Sequence, residues 1–190
     1  MPKSVPNEPL HRPTKHELAA ATGRRIPDVI APGLRVLFCG INPGLYSGAV
    51  GHHFARPGNR FWKVLHRSGF TDHELSPFDD RALLDVGIGV TNLVSRTTAT
   101  AAELDGAELR RGAARLRAKV KRYRPGFIAF AGMGAYRTAY RRPHAVLGRQ
   151  HETVGDAVIW LLPNPSGAQA AYQLDDLVRE FRALRRAAAG

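Results

Sequence analysis

Cysteine is almost absent from this 190-residue chain: Cys39 stands alone, inside the apolar run Leu34-Arg35-Val36-Leu37-Phe38-Cys39. One thiol excludes an internal disulfide, a four-cysteine zinc site and an iron–sulfur cluster. Its apolar neighbours predict a buried, inert group. Acidic side chains are also scarce, with 16 Asp and Glu against 28 Lys and Arg and a formal net charge of +12. Such a balance favours a polyanionic partner, either nucleic acid or an anionic membrane surface, without choosing between them. Long apolar runs are missing too. Nothing approaches the roughly 18 residues of a membrane span, and the first residues, MPKSVPNEPLHRPTKHEL, lack the apolar centre of a signal peptide. A cytoplasmic protein that does not enter membranes is the expectation. Complete phosphate loops are lacking as well, because Gly87-Ile88-Gly89 and Gly132-Met133-Gly134 fulfil neither GxGxxG nor Gly-Lys-Ser/Thr.

What is present is an alternation of short apolar runs with helical spacing. Residues 1–33, rich in Pro, Lys, Arg and His, show no sustained period and predict an extended or weakly helical basic arm. The folded domain is expected to cover 34–190. Four runs, at 34–39, 88–94, 127–131 and 157–162, have the length of buried strands. Between them, 107–123 repeats Leu109, Ala113, Leu116, Val120 and Tyr123 on one helical stripe, ended by Pro125-Gly126. A second helix starts near Pro57-Gly58-Asn59, turns Phe61, Val64 and Leu65 inward and stops at Gly69; a third covers 174–184. This order predicts a three-layer α/β/α sandwich with a short, mainly parallel central sheet. Ligands of such sheets bind beyond the carboxyl ends of the strands. There the sequence places Gly40-Ile41-Asn42-Pro43-Gly44, Arg96-Thr97-Thr98 and Asn164-Pro165-Ser166-Gly167, which are expected to converge.

In the first of these, two glycines and a proline make a tight turn that presents backbone N–H groups and one amide side chain. Asn42 donates and accepts hydrogen bonds, so it can hold a water or read a base edge, but it is too weak a base to deprotonate that water. By itself the segment reads first as a plain turn. The segment 51–62, Gly-His-His-Phe-Ala-Arg-Pro-Gly-Asn-Arg-Phe-Trp, interleaves aromatics, imidazoles and cations, as suits a stacked base beside a charged backbone. Phe61 and Trp62 belong to the core of the following helix, whereas Phe54 sits in a polar loop where an aromatic is available to a ligand. His52 and His53 have no third ligand at convincing spacing, so no metal and no other cofactor is expected. Asp85, in its Leu-Leu-Asp-Val context, reads first as a surface or capping carboxylate and second as a candidate base, and either histidine is a candidate cation that titrates near neutrality and stabilises a leaving group.

Gly40-Ile41-Asn42-Pro43-Gly44, Gly51-His52-His53-Phe54, the segment 57–63, Gly89-Val90-Thr91-Asn92-Leu93-Val94 and Asn164-Pro165-Ser166-Gly167 occur in this order. Together they resemble the mismatch-specific uracil-DNA glycosylase and thymine-DNA glycosylase family, from about residue 34 to 184. The resemblance implies a uracil-glycosylase fold and a monofunctional enzyme that hydrolyses the base–sugar bond in double-stranded DNA containing uracil or a mismatched pyrimidine, acting as a monomer. It makes Asn42 the catalytic residue and places Gly40, Ile41, Pro43, Gly44, Ser47, His53, Phe54, Asn92 and Thr98 around the flipped base. Phe54 would stack on the pyrimidine, and backbone near Ile41 and Phe54 would bond its edge. DNA contacts are expected from Arg56, Lys63, Asn164, Pro165, Ser166, Gly167, Ala168 and Gln169. Here the chain departs from the family, which places a bulky wedge and an arginine after Asn-Pro-Ser-Gly, where this chain has Ala168-Gln169-Ala170. The basic residues of 107–123 are too numerous for one contact face and are read as mostly solvated. A non-catalytic DNA-binding module and a nucleotide-binding enzyme are the alternatives; a lyase would need an amine nucleophile that the motifs do not offer.

Overall fold

Five strands form one sheet in the order β2-β1-β3-β5-β4 in a computed structural model that describes residues 12–167 and 171–190. β1 (Val36–Gly40), β2 (Ile88–Asn92), β3 (Phe127–Ala131) and β5 (Ala157–Leu162) run parallel, and β4 (Gly148–Val154) closes one edge antiparallel to β5. The four parallel strands are those expected from the apolar runs: β3 and β5 coincide with 127–131 and 157–162, β2 stops two residues short of 94, and β1 is shifted to 36–40. β4 was not anticipated. Its residues Gly-Arg-Gln-His-Glu-Thr-Val bury only Val154, as befits a charged edge that discourages pairing with another chain.

The helices lie on both faces because each central strand is apolar on both sides. In β1, Val36 and Phe38 face one core with Phe61, Trp62, Val64 and Leu65 of α3 (Phe61–Ser68) and Leu177, Phe181 and Leu184 of α6 (Leu174–Ala189). Leu37 and Cys39 face the other core with Leu109, Leu116 and Val120 of α4 (Gly106–Tyr123) and Tyr136 and Ala139 of α5 (Met133–Tyr140). Burial pushes the Cys39 thiol up to about 12, so it stays protonated and unreactive. α4 approaches the sheet at Gly112, where a Cβ would lie 2.2 Å from the Leu93 carbonyl oxygen. Its last turn stops at Arg124, in the left-handed region (φ 50°), just before Pro125. α3 begins where Asn59 Oδ1 accepts the Phe61 N–H and ends at Gly69 (φ 85°), as its flanking residues predict.

Residues 12–33 do not form a detached arm. Thr14 caps α1 (Lys15–Ala20) with a reciprocal capping box, and the following segment lies against the sheet. Ala21, Ile26 and Val29 are buried, and Val29 exchanges both backbone hydrogen bonds with Val90. The Ile26 and Val29 side chains each contribute about 1.5–3 kcal/mol by leaving water. Lys119 Nζ meets Asp28 Oδ2 at 2.5 Å, and the buried Thr91 hydroxyl bridges them, accepting from Lys119 and donating to Asp28. Packing therefore carries the folded region upstream of Gly33: Ile26 and Val29 are buried and Ile30 partly so, and although 26, 29 and 30 match a single helical turn, the stretch between Pro27 and Pro32 is too short to sustain a period. Among the described residues no helix is long and apolar enough to cross a membrane.

Candidate active site

At the carboxyl ends of the parallel strands a cavity of about 330 Å³ opens. Ile41 and Asn42 follow β1, Asn92 ends β2, Ala131 ends β3, and Asn164 and Ser166 follow β5. β1 lies between β2 and β3, so the chain reverses its direction of travel across the sheet at this point, where such folds leave a crevice. Among the described residues lining the cavity there is no Asp or Glu, and Arg56 is the only Lys or Arg.

Asn42 is half-buried and held by its amide nitrogen. Nδ2 donates to the Arg96 carbonyl (3.0 Å), the Pro43 carbonyl (3.1 Å) and the Thr98 hydroxyl (2.7 Å). Two carbonyl acceptors fix which end of the amide is nitrogen. Oδ1 takes no hydrogen bond among the described residues and is the acceptor left for a ligand. Thr98, itself buried, donates its hydroxyl hydrogen bond to the Thr100 carbonyl, and its N–H donates to the Pro43 carbonyl. Arg96 does not reach toward the cavity; its guanidinium grips Glu108 of α4 and the Glu103 carbonyl.

Phe54 adopts φ 51°, a left-handed conformation that costs a non-glycine residue about 1–3 kcal/mol. Two contacts hold it there. Its ring stacks on Phe61 with centroids 4.1 Å apart, and the next residue, Ala55, donates its N–H to Ser47 Oγ on α2 (Leu45–Val50). The Phe54 N–H has no partner among the described residues. Phe61 and Trp62 are core residues, as their spacing predicts.

His53 and Asn92 form a second fixed pair. His53 Nε2 lies 2.9 Å from the Pro27 carbonyl, so it carries the proton, and Nδ1 then accepts from Asn92 Nδ2 at 3.3 Å. Burial holds the His53 pKa below the ordinary imidazole value. The expectation of a histidine cation titrating near neutrality is thereby corrected for His53: a ring stripped of water disfavours its charged form. Asn92 Oδ1 is turned to Gly40, where a Cβ would sit only 2.6 Å from it, so a glycine at 40 makes room for Asn92. His52 points elsewhere, to Asp80 Oδ2 (3.1 Å) and the Phe78 ring. The two neighbouring imidazoles thus share no ligand, and among the described residues no cluster of three His, Cys, Asp or Glu is suited to a metal ion. Asp85 is exposed at the amino end of β2, opposite the cavity, and is removed from the candidate bases.

Of the residues expected around a base, Ile41, Asn42, Pro43, Gly44, Ser47, His53, Phe54, Asn92 and Thr98 line this cavity, and Gly40 adjoins it. Of those expected to meet DNA, Arg56, Asn164 and Ser166 line its mouth; Pro165 and Gly167 continue the same turn, and Lys63 is exposed on the first turn of α3. Ala168 and Gln169 lie outside the described residues. Sequence spacing missed Ile26, Asn59, Ala99, Thr100, Ala101 and Ala131 in the lining. It also missed Arg60, whose Nε, Nη1 and Nη2 donate to the carbonyls of Pro165, Tyr172 and Ser166. A family model described as the uracil DNA glycosylase superfamily matches residues 27–187. The solution structure of a candidate uracil DNA glycosylase from Methanosarcina acetivorans matches with a TM-score of 0.58 at 18% identity, covering 86% of this chain and 98% of that one, a likeness of fold.

Proposed function

The chain belongs to the uracil DNA glycosylase superfamily, and from that premise we propose that it is a monofunctional glycosylase that removes uracil from double-stranded DNA in base excision repair. Its substrates would extend to thymine or modified cytosine opposite guanine, as in the mismatch-specific and thymine-DNA branch, and it would work as a monomer. One observation carries this reading. Asn42 is anchored through its nitrogen by backbone and hydroxyl groups, with its oxygen left over in a cavity that also holds Phe54.

The nucleotide first leaves the helix, at a cost of a few kcal/mol that is least for a mismatched pair. The pyrimidine stacks on Phe54, the Phe54 N–H and the Asn92 amide face its polar edge, and Ser47 closes one side. The bond between C1′ and N1 then breaks with its electron pair going to the base, leaving an anionic pyrimidine and a cationic sugar. Neutral donors aimed at the base stabilise that anion as an oxyanion hole does. A water held by Asn42 Oδ1 adds to C1′ and releases its proton to solvent, giving free base and an abasic site. Because bond breaking leads, the water needs placement more than deprotonation, which suits an amide. Arg56, Lys63 and the turn 164–167 would meet the phosphates.

The test is a panel of duplexes carrying uracil, thymine or modified cytosine opposite guanine or adenine, scored for abasic sites. Uracil release by the wild type, with the order of the other bases reporting clearance for one methyl group, supports the reading; no abasic sites from any duplex refutes it. A non-catalytic binding module would bind these duplexes and leave them intact.

A further inference from the structure

We propose that Arg60 is a positioning residue that fixes the turn 164–167 against the pocket, an inference that rests on the glycosylase reading. Arg60 is half-buried at the start of α3 and reaches both sides of one loop. Its backbone N–H and Nε both donate to the Pro165 carbonyl (3.1 and 3.3 Å), Nη2 donates to the Ser166 carbonyl (3.0 Å) and Nη1 to the Tyr172 carbonyl (2.6 Å). A guanidinium presents its donors in a rigid planar fork, so three carbonyls bound at once define the position of the backbone that carries them. An ammonium on a flexible stem cannot reproduce this.

Two further contacts make the turn part of the pocket wall. Gly167 sits on Gly58, where a Cβ would lie 2.8 Å from the Gly58 carbonyl oxygen, so the turn rests directly on the loop that precedes Arg60. The residue after Arg60 is Phe61, on which Phe54 stacks. Asn164 and Ser166 line the cavity. Arg60 therefore couples the stacking face to the turn at the mouth. Arg56 and Lys63, by contrast, are exposed and suited to phosphates.

Arg60→Lys and Arg60→Met, assayed under single turnover, test this with uracil opposite guanine and opposite a tetrahydrofuran abasic analogue, at several salt concentrations. A displaced turn traps the extruded nucleotide poorly, so both variants are expected to lose about 100-fold opposite guanine. The loss should be about tenfold smaller opposite the analogue, where no pair has to be broken. Neither the salt dependence nor the failure of lysine to rescue should differ between the two duplexes. Equal losses on both duplexes, rescue by lysine, or a salt slope reduced by about 0.9, the mark of a phosphate contact, would overturn the proposal. Should Arg60→Met fail to fold, Gly167→Ala, which lifts the turn from Gly58, must give the same partner-dependent loss, and its absence is equally contrary. If the wild type excises uracil from neither duplex, the glycosylase reading fails on its own. Hydrogen exchange then decides: accelerated exchange at Ser166 and Gly167 in Arg60→Lys sustains the positioning role, and unchanged exchange removes it.

Discussion

The pocket and the outer face of α4 treat charge in opposite ways. Along α4, Arg110, Arg111, Arg115, Arg117, Lys121 and Arg122 are exposed, and none closes an ion pair among the described residues. In the pocket, Arg56 at the mouth apart, the polar groups are neutral, and Asn42, Thr98, His53 and Asn92 are each held by named partners at hydrogen-bond distance. Net charge therefore indicates the class of partner and says little about where chemistry happens. Cations with no fixed partner stay solvated and attract a polyanion from a distance. Groups that must place a water and a leaving base within a fraction of an ångström are uncharged and tethered.

Breaking the tethered side of this contrast should have the largest effect. Asn42→Ala should lower single-turnover excision of uracil by about 100- to 1000-fold, since one positioned group is removed from the transition state, and should also lower the melting temperature modestly, because the Arg96 carbonyl and the Thr98 hydroxyl lose their donor. Phe54→Ala comes next. Loss of the stacking face should weaken half-saturation by uracil duplex by about 5- to 150-fold, corresponding to about 1–3 kcal/mol per stacked base.

His53 sharpens the contrast through pH. Its folded pKa lies below its unfolded value because burial disfavours the imidazolium. The stability it contributes is thus complete above the ordinary imidazole value of about 6.5 and is lost as pH falls from there through the folded value. His53→Gln should flatten the fall in melting temperature on acidification across that interval, as thermal melts at a series of pH values will show. The smallest effect belongs to the solvated side. Arg111→Gln combined with Arg115→Gln should leave excision within about threefold and shift the salt slope by less than one, because exposed charges of this kind act weakly and through screening.

The sheet and its two apolar layers were legible because residues 34–39, 127–131 and 157–162 are apolar on both faces and 107–123 repeats at helical spacing. β4 was not, because a charged edge strand buries one residue and has no pattern to show. The pocket was legible where strand ends met unusual residues: Asn42, Phe54, Asn92, Thr98 and Asn164 come together as their positions in a parallel sheet require. Ile26 was not, since its burial depends on residues 12–33 folding back across the sheet. Arg60 was hidden for a different reason. In the sequence it is one more cation beside Arg56 and Lys63, and only the carbonyls of Pro165, Ser166 and Tyr172 mark it as a clamp. Spacing reports which face a side chain takes, whereas tertiary hydrogen bonds between distant segments leave no period to read.

The most direct measurement of a neutral, water-placing pocket is the single-turnover rate of uracil excision as a function of pH. With Asn42 rather than a titrating base holding the water, the wild-type rate should stay level from about pH 7 to 9. A rate that climbs through a single titration in that interval would contradict it, since a group that loses its proton would then be activating the water.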